Sequence, residues 1–318
     1  MSYKEKFYLG LDTSAYTTSL AVVNQHEQLL VDSRIPLAVN EGSLGLRQSE
    51  AVFSHLKNLT LLWKGSETLE KRGDVVAVAA STQPRPVPGS YMPVFKVSEA
   101  CGLFLAQTMG LNFLTSTHQE GHIMAGLWSA GLKAGFYLTV HLSGGTTELT
   151  EAVEKTPGFL EIKLIGQGSD LNAGQFIDRL GRLMGFAFPA GPQLEALAKG
   201  GRENALQLPV AVQDTAISFS GPASSAERAL QKGARKEDLA RAIEVCIADS
   251  LSRAINNLND SLGKYDGILF VGGVAANHYI RERLCKKIKA AKLYFARADF
   301  ASDNAVGLAV QAARRFKA

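Results

Sequence analysis

Cysteine is scarce in this chain: three in 318 residues, Cys101, Cys246 and Cys285, far apart and odd in number. That excludes a disulfide-stapled scaffold and a C-x-x-C ligand pair, and a reducing cytoplasm is the compartment such usage fits. No stretch reaches the roughly 18 apolar residues of a membrane span, and the opening Met1-Ser2-Tyr3-Lys4-Glu5-Lys6-Phe7 has no signal-peptide core. The protein is therefore expected to be soluble and cytoplasmic, with no membrane association. Neither sign of charge dominates. Thirty-four Lys and Arg stand against 30 Asp and Glu, and the net charge of +4 only mildly favours an anionic partner such as a nucleotide, phosphate or RNA. Its basic residues are dispersed, and short clusters such as Lys286-Lys287-Ile288-Lys289 read as solvated helix faces.

What is present is an ordinary globular balance, 46% hydrophobic and 20% charged, long enough for one large or two smaller cores. The most informative local feature is Thr117-His118-Gln119-Glu120-Gly121-His122. In a helix, four-residue spacing puts both imidazoles on one face about a turn apart, where they can share a metal ion. On spacing alone a solvated helix face fits as well. A zincin reading fails, because Gln119 rather than glutamate follows His118.

Alternating strand and turn patterns organise the rest. The apolar run Phe7–Asp12 leads through the hydroxyl-rich turn Thr13–Thr18 into the strand Ser19–Val23, a β-hairpin whose turn offers N–H groups and hydroxyls to an anion. The same pattern recurs where Phe136–Leu142 runs through Ser143-Gly144-Gly145-Thr146-Thr147 into Glu148–Val153, which points to an internal duplication. Helical periodicity is expected over 96–109, 170–185 and 236–262, with a last helix from about Ser302-Asp303-Asn304. The strand Gly267–Val271 meets Gly272-Gly273-Val274-Ala275-Ala276-Asn277 and a new helix, a strand, glycine turn and helix unit suited to nucleotide contact.

Paired hairpin loops with a late Gly-Gly turn resemble the actin, Hsp70 and sugar-kinase (ASKHA) superfamily, a two-lobed α/β fold of duplicated ribonuclease-H-like domains with a nucleotide cleft. The lobes are expected at 1–112 and 113–318, with the last helix packing back on the first. Within that superfamily, the His118-x-x-x-His122 pair, Ser143-Gly144-Gly145, Pro189-Ala190-Gly191-Pro192, Ser218-Phe219-Ser220-Gly221, Gly272–Asn277 and Asp303-Asn304-Ala305 look like the TsaD/Gcp/Kae family. That family comprises tRNA threonylcarbamoyladenosine transferases, formerly labelled O-sialoglycoprotein endopeptidases of peptidase family M22. The resemblance implies one divalent metal, iron or zinc, on His118, His122 and Asp303. It also implies an adenine nucleotide, ATP or threonylcarbamoyl-AMP, on His141, Leu142, Ser143, Gly144, Gly145, Asp178, Gly191 and Asn277. The acceptor it implies is N6 of an adenosine in tRNA.

Three stretches depart from the family pattern. The first loop usually reads Glu-Thr-Ser-Cys-Asp and then another acid, but Tyr16 and Thr17 stand where the two later acids are expected. Thr146 replaces a histidine, and Asp170-Leu171-Asn172-Ala173-Gly174-Gln175 lacks two of the usual acids. Asp12 is the nearest remaining acid and the one catalytic candidate. An alternative follows from these losses: a catalytically weak nucleotide- and metal-binding subunit that pairs with a protein of the same superfamily or with itself. A superfamily kinase ranks below both, for want of a catalytic Asp in a Gly-rich context. No glutamate follows His118 to act as a metal-water base, which also speaks against the peptidase label.

Overall fold

The computed structural model describes residues 4–39, 46–62 and 73–317. Residues 1–3 of the segment tested for a signal core lie outside them. Along the chain run β1 (Glu5–Thr13), β2 (Thr17–Asn24), β3 (Leu29–Pro36), α1 (Gln48–Leu62), β4 (Gly73–Gln83), α2 (Phe95–Met109), β5 (Asn112–Thr117) and α3 (His118–Ser129). Next come β6 (Phe136–Leu142), β7 (Thr147–Thr156), β8 (Phe159–Gln167), α4 (Ala173–Met184), α5 (Gly191–Ala198), β9 (Ala211–Gln213), β10 (Ala216–Ser218), α6 (Ser220–Gln231) and α7 (Lys236–Asn256). The chain closes with β11 (Gly267–Val271), α8 (His278–Lys287), β12 (Leu293–Phe295), α9 (Ala298–Ala301) and α10 (Val306–Arg315).

Both expected hairpins form, and the duplication is visible in topology. The first sheet has the order β3-β2-β1-β4-β5 and the second β8-β7-β6-β11-β12. In each, the opening strand pairs antiparallel with the next strand and parallel with a later one: β1 with β2 and β4, β6 with β7 and β11. The opening strands are central and buried on both faces, which is why they read as nearly continuous apolar runs.

Two compact units result. One comprises Met1–Ala134, Glu154–Ile162 and Ser302–Ala318, the other Gly135–Val153 and Lys163–Ala301. Compaction thus divides the chain elsewhere than at 112/113. β5 pairs with β4, and α3 begins directly at its end, so both stay with the first sheet. Its apolar core centres on Phe7, Leu11, Leu20, Val22 and Val78. The core of the second unit includes Leu138, Val140, Phe176, Leu251 and Phe270.

Three helices differ in extent from the sequence reading. α4 starts at Ala173 rather than 170, because Asn172 and Gln175 form a capping box at its N-terminus. α7 stops at Asn256 and a 3-10 turn follows over Asn259–Lys264. Asn259 adopts φ 44°, a left-handed conformation that an α-helix cannot continue through. α10 begins at Val306, whose N–H is bound by the Asn304 side chain at 3.0 Å.

Candidate functional site

In the first unit, α3 opens on its metal-ligand candidate. Thr117 caps the helix, accepting the Glu120 N–H, while the Glu120 carboxylate accepts the Thr117 N–H at 2.8 Å. This Thr-x-x-Glu capping box fixes His118 as the first helical residue and turns His122 to the same face. The loop before α10 then brings in Asp303. His118 Nε2 and His122 Nε2 lie 3.2 Å apart, His122 Nε2 is 3.3 Å from Asp303 Oδ1, and His118 Nε2 is 3.6 Å from it. Ligands bonded at about 2.1 Å in tetrahedral directions stand about 3.4 Å apart, so the three atoms are spaced as neighbours on one coordination shell. Two imidazole nitrogens and a carboxylate oxygen also suit a borderline divalent ion such as iron or zinc. His118 and Asp303 are partly exposed, which leaves a side open to a further ligand.

The β1–β2 hairpin surrounds this triad. Asp12 Oδ1 lies 3.0 Å from His118 Nδ1, and Ser14 Oγ donates to Asp303 Oδ2 at 2.6 Å. Asp12 is almost wholly buried, and its Oδ2 has no hydrogen-bond partner among the described residues. Burial opposes charge on His118, but Asp12 and then Asp303 outweigh it and push the imidazole up to about 10. Burial likewise opposes charge on Asp303, and hydrogen bonds from the two histidines prevail, holding its carboxyl well below the usual range.

The remaining candidates all lie in the second unit. Gly272 takes φ 95°, and a Cβ there would stand 2.2 Å from the Leu142 carbonyl oxygen, so only glycine lets the late turn lie against the end of β6. Asp178 Oδ1 accepts the Ala190 N–H at 2.8 Å, beside Gly191 at the start of α5. Burial pushes the Asp178 carboxyl up, partly offset by that bond. The side chains of His141 and Leu142 are core, so Ser143, Gly144 and Gly145 form the accessible part of their stretch. A Cβ on Gly144, Gly145 or Gly191 would meet nothing within 4 Å, so packing does not account for glycine at these positions.

Asn277 is engaged through both ends of its amide. Its Oδ1 accepts the Ile280 N–H and caps α8, while Nδ2 donates to Glu244 at 2.7 Å. Sequence reasoning did not reach Glu244, which is buried on α7 and also accepts from Arg241 at 2.7 Å. Burial pushes its carboxyl to about 7 against the lowering effect of Asn277 and Arg241. The folded protein therefore holds a proton that the unfolded chain releases near 4.5. Stability from this group is fully present below that value and is lost as pH rises through about 7, a change on the order of 3 kcal/mol. Urea midpoints measured from pH 5 to 8 are expected to fall more steeply in the parent protein than in Glu244→Gln.

A further link also escaped the sequence reading: Asp170 accepts from the Ser218 hydroxyl at 2.6 Å and the Phe219 N–H at 3.0 Å, joining two of the motifs. Each motif is visible locally, but their pairing depends on the fold.

The repeated sheets with their matching hairpins have the α/β fold type of the actin, Hsp70 and sugar-kinase class. Component A of (R)-2-hydroxyglutaryl-CoA dehydratase from Acidaminococcus fermentans aligns over 97% of this chain and 98% of its own, with TM-score 0.58 and 15% identity. Full-length HypF, solved in a phosphate- and nucleotide-bound form, aligns over 99% of this chain and 46% of its own, with TM-score 0.62 and 14% identity. At such identities the likeness is one of fold. Residues 67–310 match the family model for TsaD, tRNA N6-adenosine threonylcarbamoyltransferase, and the chain belongs to that family. A tRNA N6-adenosine threonylcarbamoyltransferase from Archaeoglobus fulgidus is 28% identical over 309 residues, 95% of this chain and 88% of its own. No described helix is long and apolar enough to cross a membrane.

Proposed function

We propose that this protein transfers a threonylcarbamoyl group from threonylcarbamoyl-AMP to N6 of an adenosine in tRNA, in the cytoplasm. The observation that carries the reading is the convergence of His118, His122 and Asp303 within a chain of this family. These three residues would hold one divalent ion, iron or zinc. When bound, that ion supplies positive charge to a donor oxygen. Asp12 accepts from His118 Nδ1, which leaves the Nε2 lone pair facing the other ligands, so its contribution to the reaction is to orient His118. Ser143, Gly144, Gly145 and Gly191 leave the backbone open to the adenylate, and Asp178 has a carboxylate oxygen to offer a ribose hydroxyl. Asn277 supports the base side by fixing the start of α8, its amide being committed to Ile280 and Glu244. Binding of this kind accelerates transfer by holding donor and acceptor in one geometry.

The test is complementation of a strain depleted of its own transferase, reading modified adenosine in its tRNA. Restored modification that disappears in His122→Ala supports the transferase and its metal. A second reading, favoured by Tyr16 and Thr17 where acids are usual, is a nucleotide-binding partner subunit, paired with another superfamily member or as a homodimer. A folded, ATP-binding protein that restores nothing alone but stimulates an authentic transferase would establish that reading instead. In either case Asp12→Asn is expected to weaken Zn²⁺ binding about 10- to 100-fold in a competition titration with a chromophoric chelator.

A further inference from the structure

His55 lies on α1, far in sequence from every motif of the site, and is completely buried. Its two ring nitrogens make different bonds: Nε2 lies 2.8 Å from the Ser14 carbonyl oxygen, and Nδ1 lies 2.8 Å from Thr18 Oγ1. A carbonyl only accepts, so Nε2 carries the proton. Burial lowers the His55 pKa more than Ser14 and Asp12 raise it, so the ring is neutral and Nδ1 accepts from the Thr18 hydroxyl. Thr18 Oγ1 in turn accepts from Asn58 Nδ2 at 3.1 Å, which fills the remaining direction of this network. The ring therefore bridges the two sides of the β1–β2 turn, Ser14 before it and Thr18 after it.

That turn supports two of the three ligand candidates. Asp12 meets His118 Nδ1, and Ser14 Oγ donates to the outer oxygen of Asp303, leaving Oδ1 toward the histidines. Between them, Thr13 is tied to α2 through Val94 and Ser98, both at 2.8 Å. Asp12 and Thr13 thus have their own anchors, and Ser14 depends on its backbone bonds to Thr17 and to His55. We propose that His55 is a positioning residue of the metal centre, holding the Ser14 backbone so that the Ser14 hydroxyl orients the Asp303 carboxylate. This rests on the metal reading given above.

The experiment is Zn²⁺ affinity of the chelator-stripped full chain, by competition with a chromophoric chelator, for the parent protein and for His55→Gln, His55→Asn and Ser14→Ala. Glutamine places an amide N–H near the position of Nε2 and keeps the bond to Ser14. Asparagine reaches only as far as Nδ1 and keeps the contact with Thr18 alone. Expected results are affinity within about 5-fold of the parent for His55→Gln, and a loss of about 10- to 100-fold for His55→Asn and for Ser14→Ala. In the His55→Asn, Ser14→Ala double variant the loss is expected to equal that of one single variant, because both changes break one chain of contacts. Parent-like affinity in His55→Asn or Ser14→Ala, or additive losses in the double variant, would overturn the proposal. If His55→Asn does not fold, Ser14→Ala against His55→Gln decides it. A parent protein that takes up no Zn²⁺ overturns the metal reading itself, and the positioning argument with it.

Discussion

His122→Ala is expected to lower Zn²⁺ affinity at least 100-fold and to abolish tRNA modification in the complemented strain. The size follows from removing one of three ligands, whereas supporting residues typically change metal affinity 10- to 100-fold. His122 is a better choice than His118 for this test. Without metal, His118 is held charged between two carboxylates, one of them almost wholly buried. Removing it leaves Asp12 buried and unpaired, at a cost of about 3–5 kcal/mol, and a loss of folding would then be confused with a loss of ligation. His122→Ala keeps the Asp12–His118 pair. Equal Zn²⁺ stoichiometry and affinity in the parent and His122→Ala would show that the ion, if any, sits elsewhere.

Two glycine substitutions thirty residues apart are expected to behave in opposite ways. A Cβ on Gly174 would stand 2.6 Å from both the Ser143 carbonyl oxygen and Gly144 Cα, and 2.7 Å from the Gly144 nitrogen. All three are backbone atoms, so no side chain can swing aside. Gly174→Val is expected to cost about 3 kcal/mol or more and to lower Tm by roughly 6–12 °C. Gly144→Val meets open space and is expected to leave Tm within about 2 °C of the parent. Its branched side chain instead occupies the approach to the Ser143–Gly145 backbone, and ATP affinity by calorimetry is expected to fall at least about 30-fold. A folded Gly144→Val with undiminished ATP affinity would remove this loop from the nucleotide site.

The glycine contrast shows how far a sequence can be read. Gly144 and Gly145 lie in the turn after β6 and Gly174 in the first turn of α4, yet the former face open space and the latter sits under the neighbouring Ser143–Gly144 backbone. No local pattern separates these cases, because the difference lies in a partner thirty residues away. The four-residue spacing of His118 and His122, by contrast, was legible, and the Thr117–Glu120 capping box seen in the structure supplies the helix start that puts both histidines on one face. His55 carries no such signal: a single histidine in an amphipathic helix becomes informative only once the β1–β2 turn is folded beside it.

By itself the sequence determined the local elements and the repeat: the two strand, turn and strand hairpins, the strand and Gly-Gly turn before α8, the spacing of His118 and His122, and the family to which these belong. Such features depend on side-chain period and turn chemistry within a few residues. Tertiary structure decided that Asp303, named beforehand only through the family resemblance, meets the histidine pair across 181 residues, that Asp12 and Ser14 brace that triad, and that the Asn277 amide is spent on α8 and Glu244. The physical reason is that contact between distant segments is set by which faces pack on the two sheets. That depends on summed burial over the whole core, which no single stretch of sequence carries.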